Sequence, residues 1–399
     1  MISMRKIVLP RIRGNPKTFT HCGAAACVGV FAWRGDPGLI ALAAIIPPLI
    51  FMRRSRVEAV FVAFAYYAAS NWPLIPGTLG YFGTSGTVFH ALLFWVGPSL
   101  LLPLPWTVCW TATPSKALWR LPVAYVLSIV PPVGIIGWAS PLTAAGILFP
   151  GWGWLGLACF ITISALFLYL PQETALTAAF LVLAANLSYP GDSPPPKSWE
   201  GVSTTFLRIS DPDDPIPEFQ VAEYVQRIAL ASNRQVIVFP ESMVPKWTDA
   251  TELMWKRTLD QARLSRKTLL IGVGLSIVHT SNSRNAVLVV RNGVPTPALQ
   301  RIPVPIIMWN PLRMGQSAAL RLLSSGVLEI DGERAALLIC YEQLLTWPIL
   351  ESAVEHPTLI VGLANDNWAR GTPIPVAQQA AMTAWARLFH LPIILAVNL

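Results

Sequence analysis

Apolar residues follow two different rhythms along the chain. Between residues 20 and 189 they form long runs, near 20–33, 38–52, 57–75, 87–110, 121–139, 151–170 and 172–189. A helix needs roughly 20 apolar residues to cross a bilayer, so the pattern predicts about seven membrane-spanning helices. The first two runs are short enough to be tilted, re-entrant or a hairpin. Trp72-Pro73 and Pro131-Pro132 interrupt the runs, as is tolerated where neighbouring helices cover the freed backbone. Trp152, Trp154, Tyr169 and Tyr189 stand at run ends, where interfacial aromatic belts form.

After Pro190 the rhythm shortens. The runs at 235–239, 268–275, 285–291, 334–340, 357–363 and 392–398 read as strands. Helical patterns lie between most of them, at about 217–232, 249–266, 344–355 and 375–389, and Asn292-Gly293 marks a tight turn. Such alternation predicts a layered α/β fold with buried central strands. The expected division is therefore a polytopic transmembrane domain over 1–189, a Pro-rich polar linker over 190–200 and an α/β domain over 201–399.

Composition supports that division. Mean hydropathy is +0.51 and only 13% of the 399 residues are charged. The net charge of +8 sits in the first half: residues 1–189 hold 11 Lys/Arg against 3 Asp/Glu, while 190–399 hold 18 of each. The excess is a membrane-flank signal, and the chain has no basic stripe with interleaved aromatics, so nucleic acid is excluded as a partner. Arg5, Lys6, Arg11, Arg13 and Lys17 precede the first run, Arg53, Arg54 and Arg56 follow the second, and Lys116 and Arg120 follow the fourth. If all seven runs span, these loops share one face and Arg34 alone lies on the other. The positive-inside rule then places the α/β domain in the periplasm of a multi-pass bacterial inner-membrane protein.

Four of the five cysteines lie in apolar runs, and Cys340 is the only one after residue 159. It ends the strand-like "AALLIC" and is followed by Tyr341 and Glu342; likewise "VIVFPES" delivers Glu241 just past a strand. Sites in α/β sheets form at the carboxyl ends of strands. A thiol nucleophile needs a base, and a poorly solvated carboxylate serves because burial raises its pKa. Glu241 and Cys340 are thus expected within hydrogen-bond reach on neighbouring strands, in a pocket opening towards the membrane domain. The five histidines have no metal-ligand spacing, "DPDDP" at 211–215 reads as a solvated turn, and Gly272-Val273-Gly274 lacks the context of a nucleotide loop. Neither a metal nor a cofactor is expected.

F-P-E-S followed about a hundred residues later by I-C-Y-E resembles the nitrilase, or carbon–nitrogen hydrolase, superfamily. The resemblance implies an αββα sandwich with a Glu–Lys–Cys triad. A polytopic half fused to such a domain is similar to apolipoprotein N-acyltransferase and to acyltransferase-like conjugal-transfer proteins of plasmids. "ANDNW" (364–368) resembles the N-D-x-W loop, bringing in Asn365 and Trp368 with Tyr341 as substrate-binding residues. Gln379 and Arg387 fall where that family has a Gln and an Arg, and "GILFPGWGWLGL" (146–157) resembles its membrane segment.

The catalytic Lys of that family has no counterpart: Gln300 holds its position, with Arg301 beside it, and Met308 replaces a second Glu. The implied catalytic set is Glu241 as base, Cys340 as nucleophile, Glu342 orienting the site, and Arg301 or a backbone donor at the oxyanion. The implied chemistry runs through a Cys thioester, with a phospholipid as acyl donor and a pilin or lipoprotein as acceptor. Two alternatives stand beside it: an impaired nitrilase-fold scaffold of the conjugation apparatus, and amide chemistry on a pilin or transfer protein without a lipid donor.

Overall fold

The computed structural model describes residues 16–206, 215–276, 283–310 and 317–399. The acidic turn at 211–215 falls almost wholly outside these residues, as does His279. The first half is helical. Its longest helices are Pro16–Phe31, Arg56–Asn71, Val88–Leu101, Pro114–Ile129, Gly153–Leu166 and Pro171–Ser188. One helix among the described residues, Val88–Cys109, is long and apolar enough to cross a membrane; a second candidate is the pair Pro141–Leu148 and Gly153–Leu166, bent by 118°. The other apolar runs form shorter or less apolar helices, whose buried faces share one core containing Tyr66, Trp106, Tyr125 and Phe160. Many large apolar side chains on this half, including Phe89, Leu155, Leu176, Phe180 and Leu187, remain exposed.

The second half contains ten strands among the described residues. These are β1 (Trp199–Gly201), β2 (Val236–Val238), β3 (Val244–Trp247), β4 (Thr268–Ser276), β5 (Ser283–Arg291), β6 (Val294–Leu299), β7 (Val327–Ile330), β8 (Glu333–Ile339), β9 (Leu359–Asn365) and β10 (Ile393–Asn398). They form two sheets, one ordered β1-β2-β4-β5-β6 with β3 also paired to β4, the other β10-β9-β8-β7. Asn292 and Gly293, both at positive φ, turn β5 into β6, the geometry that an Asn-Gly hairpin favours.

Four layers follow from what each face buries. Val236, Val238, Leu270 and Val287 of the first sheet meet Leu337, Ile339, Val361 and Ile394 of the second in a common core. Helices Pro215–Ala231 and Asp249–Leu264 cover the outer face of the first sheet. Thr346–Val354 and Ile374–Phe389 cover the outer face of the second. The helical half packs beyond that last layer. Gly146 lies so close to helix Ile374–Phe389 that an added Cβ would meet the Ala384 carbonyl oxygen at 1.9 Å.

One organisational expectation changes. The strands preceding Glu241 and Cys340 do not neighbour one another in a sheet: β2 and β8 lie in different sheets, and their carboxyl ends meet across the sandwich. Side chains of the 190–200 segment also bond to the second half. Arg387 donates to both carboxylate oxygens of Asp192 at 2.8 and 3.0 Å, and Ser193 donates to the His390 carbonyl.

Candidate active site

Each strand delivers its functional residue through a local backbone device. Gly272 of β4 has no side chain because the chain leaving β2 runs directly over it: a Cβ there would lie 2.3 Å from the Pro240 carbonyl oxygen and 2.4 Å from the Glu241 Cα. Gly274 makes the same allowance for Pro245. The Gly-Val-Gly stretch is thus a groove for the Glu241 loop. On the other sheet, β8 ends at Ile339 and Cys340 adopts φ 51°, a left-handed conformation that costs a non-glycine residue energy. Such outliers persist where the surroundings over-determine them, and they cluster at functional sites.

Glu342 supplies much of that determination. Its Oε2 accepts from the Ile339 backbone N–H at 2.9 Å, while Oε1 accepts from the N–H groups of Arg301 at 2.6 Å and Ile302 at 2.9 Å. The buried carboxylate therefore ties the end of β8 to the segment after β6. Gln343 works beside it, donating to the Leu338 and Leu363 carbonyls and accepting from Gln378. Gln378 is the glutamine of helix Ile374–Phe389 that reaches this network, one residue before the position that the sequence suggests.

Glu241 is buried, and its carboxyl accepts from the Asn365 backbone N–H at 2.9 Å and from the Asn285 side-chain amide. The Cys340 thiol hydrogen-bonds the same carboxyl. Burial pushes the Glu241 pKa up to about 7; the bonds from Cys340 and Asn365 oppose the rise, and the charges of Asp366 and Glu342 add to it. Burial also pushes the Cys340 thiol up, with the Glu241 and Asp366 carboxyls raising it further and the Tyr341 backbone N–H lowering it. The pair at rest is a thiol beside a carboxyl poised near neutrality, the range in which a general base works best.

Other expected residues do different work. The Arg301 guanidinium is fully buried, and its Nη1 donates to the carbonyls of Ser324, Ser325 and Pro348 and to Ser352 Oγ, at 2.8–3.2 Å. Nη2 donates to the Leu337 carbonyl at 3.1 Å. Glu342 and Glu351 lie 3.6 and 3.7 Å away. These partners surround the guanidinium on the structural side of β8, so the oxyanion role suggested by the sequence is corrected to that of a strut. Gln300 is buried, and its Nε2 donates to the Ile339 carbonyl at 3.0 Å. Tyr341 donates its hydroxyl to the Ile135 carbonyl at 3.0 Å, and Trp368 stacks edge-on with Tyr81 and presses on Gly77 and Gly80. Both aromatics thus reach into the helical half. Asn365 contributes its backbone to Glu241, while its side chain accepts from Asn398.

The sequence reading missed Asn285 and Asp366. Asp366 is 1% exposed, neither carboxyl oxygen has a hydrogen-bond partner among the described residues, and burial pushes its pKa up to about 7. The available signal was its place inside "ANDNW". A shallow cleft beside Asn285 and Gln300 is lined by Arg284, Leu299, Pro303 and Arg321 among others, all from the second half. Neither Glu241 nor Cys340 lines that cleft. No group of His, Cys, Asp or Glu among the described residues is arranged to hold a metal.

A helical half joined to an α–β–β–α sandwich, with a strained thiol and a buried carboxyl meeting across the two sheets, is the class of molecule that the fold and site define. The chain belongs to the TraB family of conjugal transfer proteins. It is 32% identical over 383 residues to the probable conjugal transfer protein TraB of Sinorhizobium fredii, covering 94% of this chain and 96% of that one. Its identity to the conjugal transfer protein TraB of Agrobacterium fabrum is also 32%, over 391 residues, covering 93% and 90%. No family model matches the chain. Among solved structures it is similar to an amidase from Nesterenkonia sp. (15% identity, 50% of this chain and 74% of that chain, TM-score 0.34). It is also similar to a carbon–nitrogen hydrolase from Helicobacter pylori (9% identity, 50% and 73%, TM-score 0.38). Overlaps this loose carry no functional argument.

Proposed function

We propose that the chain is a membrane-bound thiol acyltransferase of the conjugation apparatus, acting through an acyl-Cys340 thioester. One observation carries the reading: a thiol held at positive φ hydrogen-bonds a buried carboxyl whose pKa is raised to about 7. Cys340 attacks an acyl carbonyl while Glu241 takes the thiol proton and passes it to the leaving group. The Tyr341 backbone N–H, which already faces the sulfur, is the donor best placed for the developing oxyanion. Asn285 and the Asn365 N–H fix the carboxyl. The helical half anchors the enzyme in the inner membrane with the sandwich on the periplasmic side, a reading supported by Val88–Cys109 and the many exposed apolar side chains. Phospholipid is the acyl donor proposed for an enzyme so anchored.

Intact-protein mass spectrometry from native membranes tests this. An acyl mass on Cys340, absent in Cys340→Ala and strongly reduced in Glu241→Gln, is expected. Parent protein that never carries an adduct, even with added phospholipid, would sink the reading.

The competing reading is a scaffold with a nitrilase-type fold. It is favoured by the engagement of the two residues at the family's Lys position, Gln300 being bonded to the Ile339 carbonyl and Arg301 to the Leu337 carbonyl. Plasmid transfer at parental frequency in Cys340→Ala, with normal protein abundance, would decide for it.

A further inference from the structure

A small cavity, lined by neither Glu241 nor Cys340, lies where the helical half meets the sandwich. Tyr67, Ser128, Trp138 and Ser140 of the helical half line it together with Thr346, the first residue of helix Thr346–Val354. It has room for about one water-sized occupant, and none of the residues lining it is charged. Two of them carry buried polar atoms without a hydrogen-bond partner among the described residues: Nε1 of Trp138, which is 4% exposed, and Oγ1 of Thr346, which is 5% exposed. Burying a polar group unpaired is costly, and a fold retains one where something else completes it.

The chemistry of the lining says what completes it. The Trp138 indole N–H can only donate. Tyr67 Oη accepts from Trp106 at 2.9 Å and Ser140 Oγ accepts from the Leu142 N–H at 3.4 Å, so each hydroxyl still has its own proton to give. Thr346 heads a helix whose first N–H groups have no intrahelical partner, and Leu345 before it makes no side-chain cap. Carbonyls of the neighbouring segments already accept: Tyr125 from Ser128 at 2.7 Å, Ala139 from Tyr66 at 2.9 Å and Ile135 from Tyr341 at 3.0 Å. The lining thus offers protons from several directions and the positive end of a helix, with few acceptors in return. A water here would need acceptors for its own two hydrogens, whereas an anion needs none.

We infer that this cavity binds a single halide ion, chloride being the ordinary occupant. The inference stands apart from the acyl-thioester reading and needs no turnover. The ion accepts from the Trp138 indole and from the Thr346, Tyr67 and Ser140 hydroxyls, at the N-terminus of helix Thr346–Val354. Phosphate and sulfate are too large for a space of this size. Gly134 also lines the cavity, next to Ile135, whose carbonyl holds the Tyr341 hydroxyl. The halide therefore braces the helical half against the sandwich through the same segment that fixes Tyr341.

Thermal unfolding of the full-length protein in nanodiscs tests the site. Sodium gluconate is exchanged stepwise for sodium chloride at constant ionic strength, so that general screening stays the same. Chloride should raise the melting midpoint along a saturable curve, by about 2 °C at about ten times the half-saturating concentration. Trp138→Phe removes the N–H and keeps an aromatic ring. It should melt no lower than the parent in gluconate, having lost an unpaired donor, and should need at least about 10-fold more chloride for half-saturation. Thr346→Val should shift the half-saturation in the same direction, so the test does not depend on one variant folding. In crystals of the full chain grown with bromide, the anomalous peak of the ion should lie between Trp138 and Thr346. A midpoint that chloride leaves unchanged, or raises without saturating, would overturn the inference. So would the same half-saturation in the parent and both variants, or a cavity that holds only water in the bromide crystals.

Discussion

Replacing Arg301 by Ala should act on the fold before it acts on chemistry. The guanidinium is 2% exposed and donates to four backbone carbonyls and one hydroxyl. Gly326, at φ +64°, comes so close that an added Cβ would stand 2.5 Å from Arg301 Cζ. Truncation leaves those carbonyls and the Glu342 and Glu351 carboxyls facing an empty pocket. Removing one partner of a buried charged cluster costs about 3–5 kcal/mol. At about 2–4 °C per kcal/mol for a unit of roughly 200 residues, the melting midpoint should fall by about 6–20 °C. Arg301→Lys should recover only part of this, because a single ammonium cannot meet acceptors spread around a planar fork. The assay is thermal unfolding of the full chain in nanodiscs, run beside the Cys340 adduct measurement at a temperature where each variant is folded. A midpoint within about 2 °C of the parent, combined with loss of the adduct, would refute the reasoning and restore Arg301 to the oxyanion.

Cys340→Ala should lose the adduct while unfolding within about 1 kcal/mol of the parent, since Ala adopts the same φ and leaves little cavity; calorimetry of the purified variant checks it. Gly272→Ala should cost about 1–3 kcal/mol, because its Cβ would meet backbone at 2.3 Å. By displacing Glu241 it should also slow adduct formation by about 10²-fold. Stability should fall as pH rises from the ordinary carboxylate range to about 7. Glu241 and Asp366 keep their protons in the folded chain up to about 7, whereas the unfolded chain releases them near pH 4, so the folded state binds more protons in that window. Melting midpoints between pH 5 and 8 should show the decline, and Glu241→Gln and Asp366→Asn should each flatten it.

Much of the sandwich was legible because buried strands write themselves as apolar runs. All six runs read as strands match strands, and the four helical patterns match helices within a few residues. β1, β3 and β7 escaped notice because strands of three or four residues hold too little pattern, and β6 because Pro295 and Pro297 disguise an edge strand. Cys340 and Glu241 could be named because each follows a strand. The pairing of those strands could not, since periodicity shows that a strand is buried on both faces without showing which sheet it joins. Arg301 misled for a related reason: adjacent residues point to opposite sides, and sequence alone does not say which of Gln300 and Arg301 faces the thiol. Asp366 escaped notice because an acid beside a loop Asn is ordinarily solvated, and nothing in its own segment signals that it is buried.

The helical half is joined to the site by more than a tether. Tyr341, the residue after Cys340, is fixed by its hydroxyl to the Ile135 carbonyl. Trp368, two residues after Asp366, rests on Gly77 and Gly80, whose lack of side chains lets helix Leu74–Phe82 ride directly over it. Gly146 brings a third segment into backbone contact with Ala384. Both loops that carry site residues on the second sheet are therefore set by the helical half as well as by their own strands. A sandwich without residues 16–189 would have to hold the positive φ of Cys340 with Glu342, Gln343 and Gln378 alone. Residues held at such φ values depend on their surroundings over-determining them, and here part of that determination comes from the helices. The candidate site and the helical half are thus one mechanical unit, and a change in how the helices pack would be felt first at Tyr341 and Trp368.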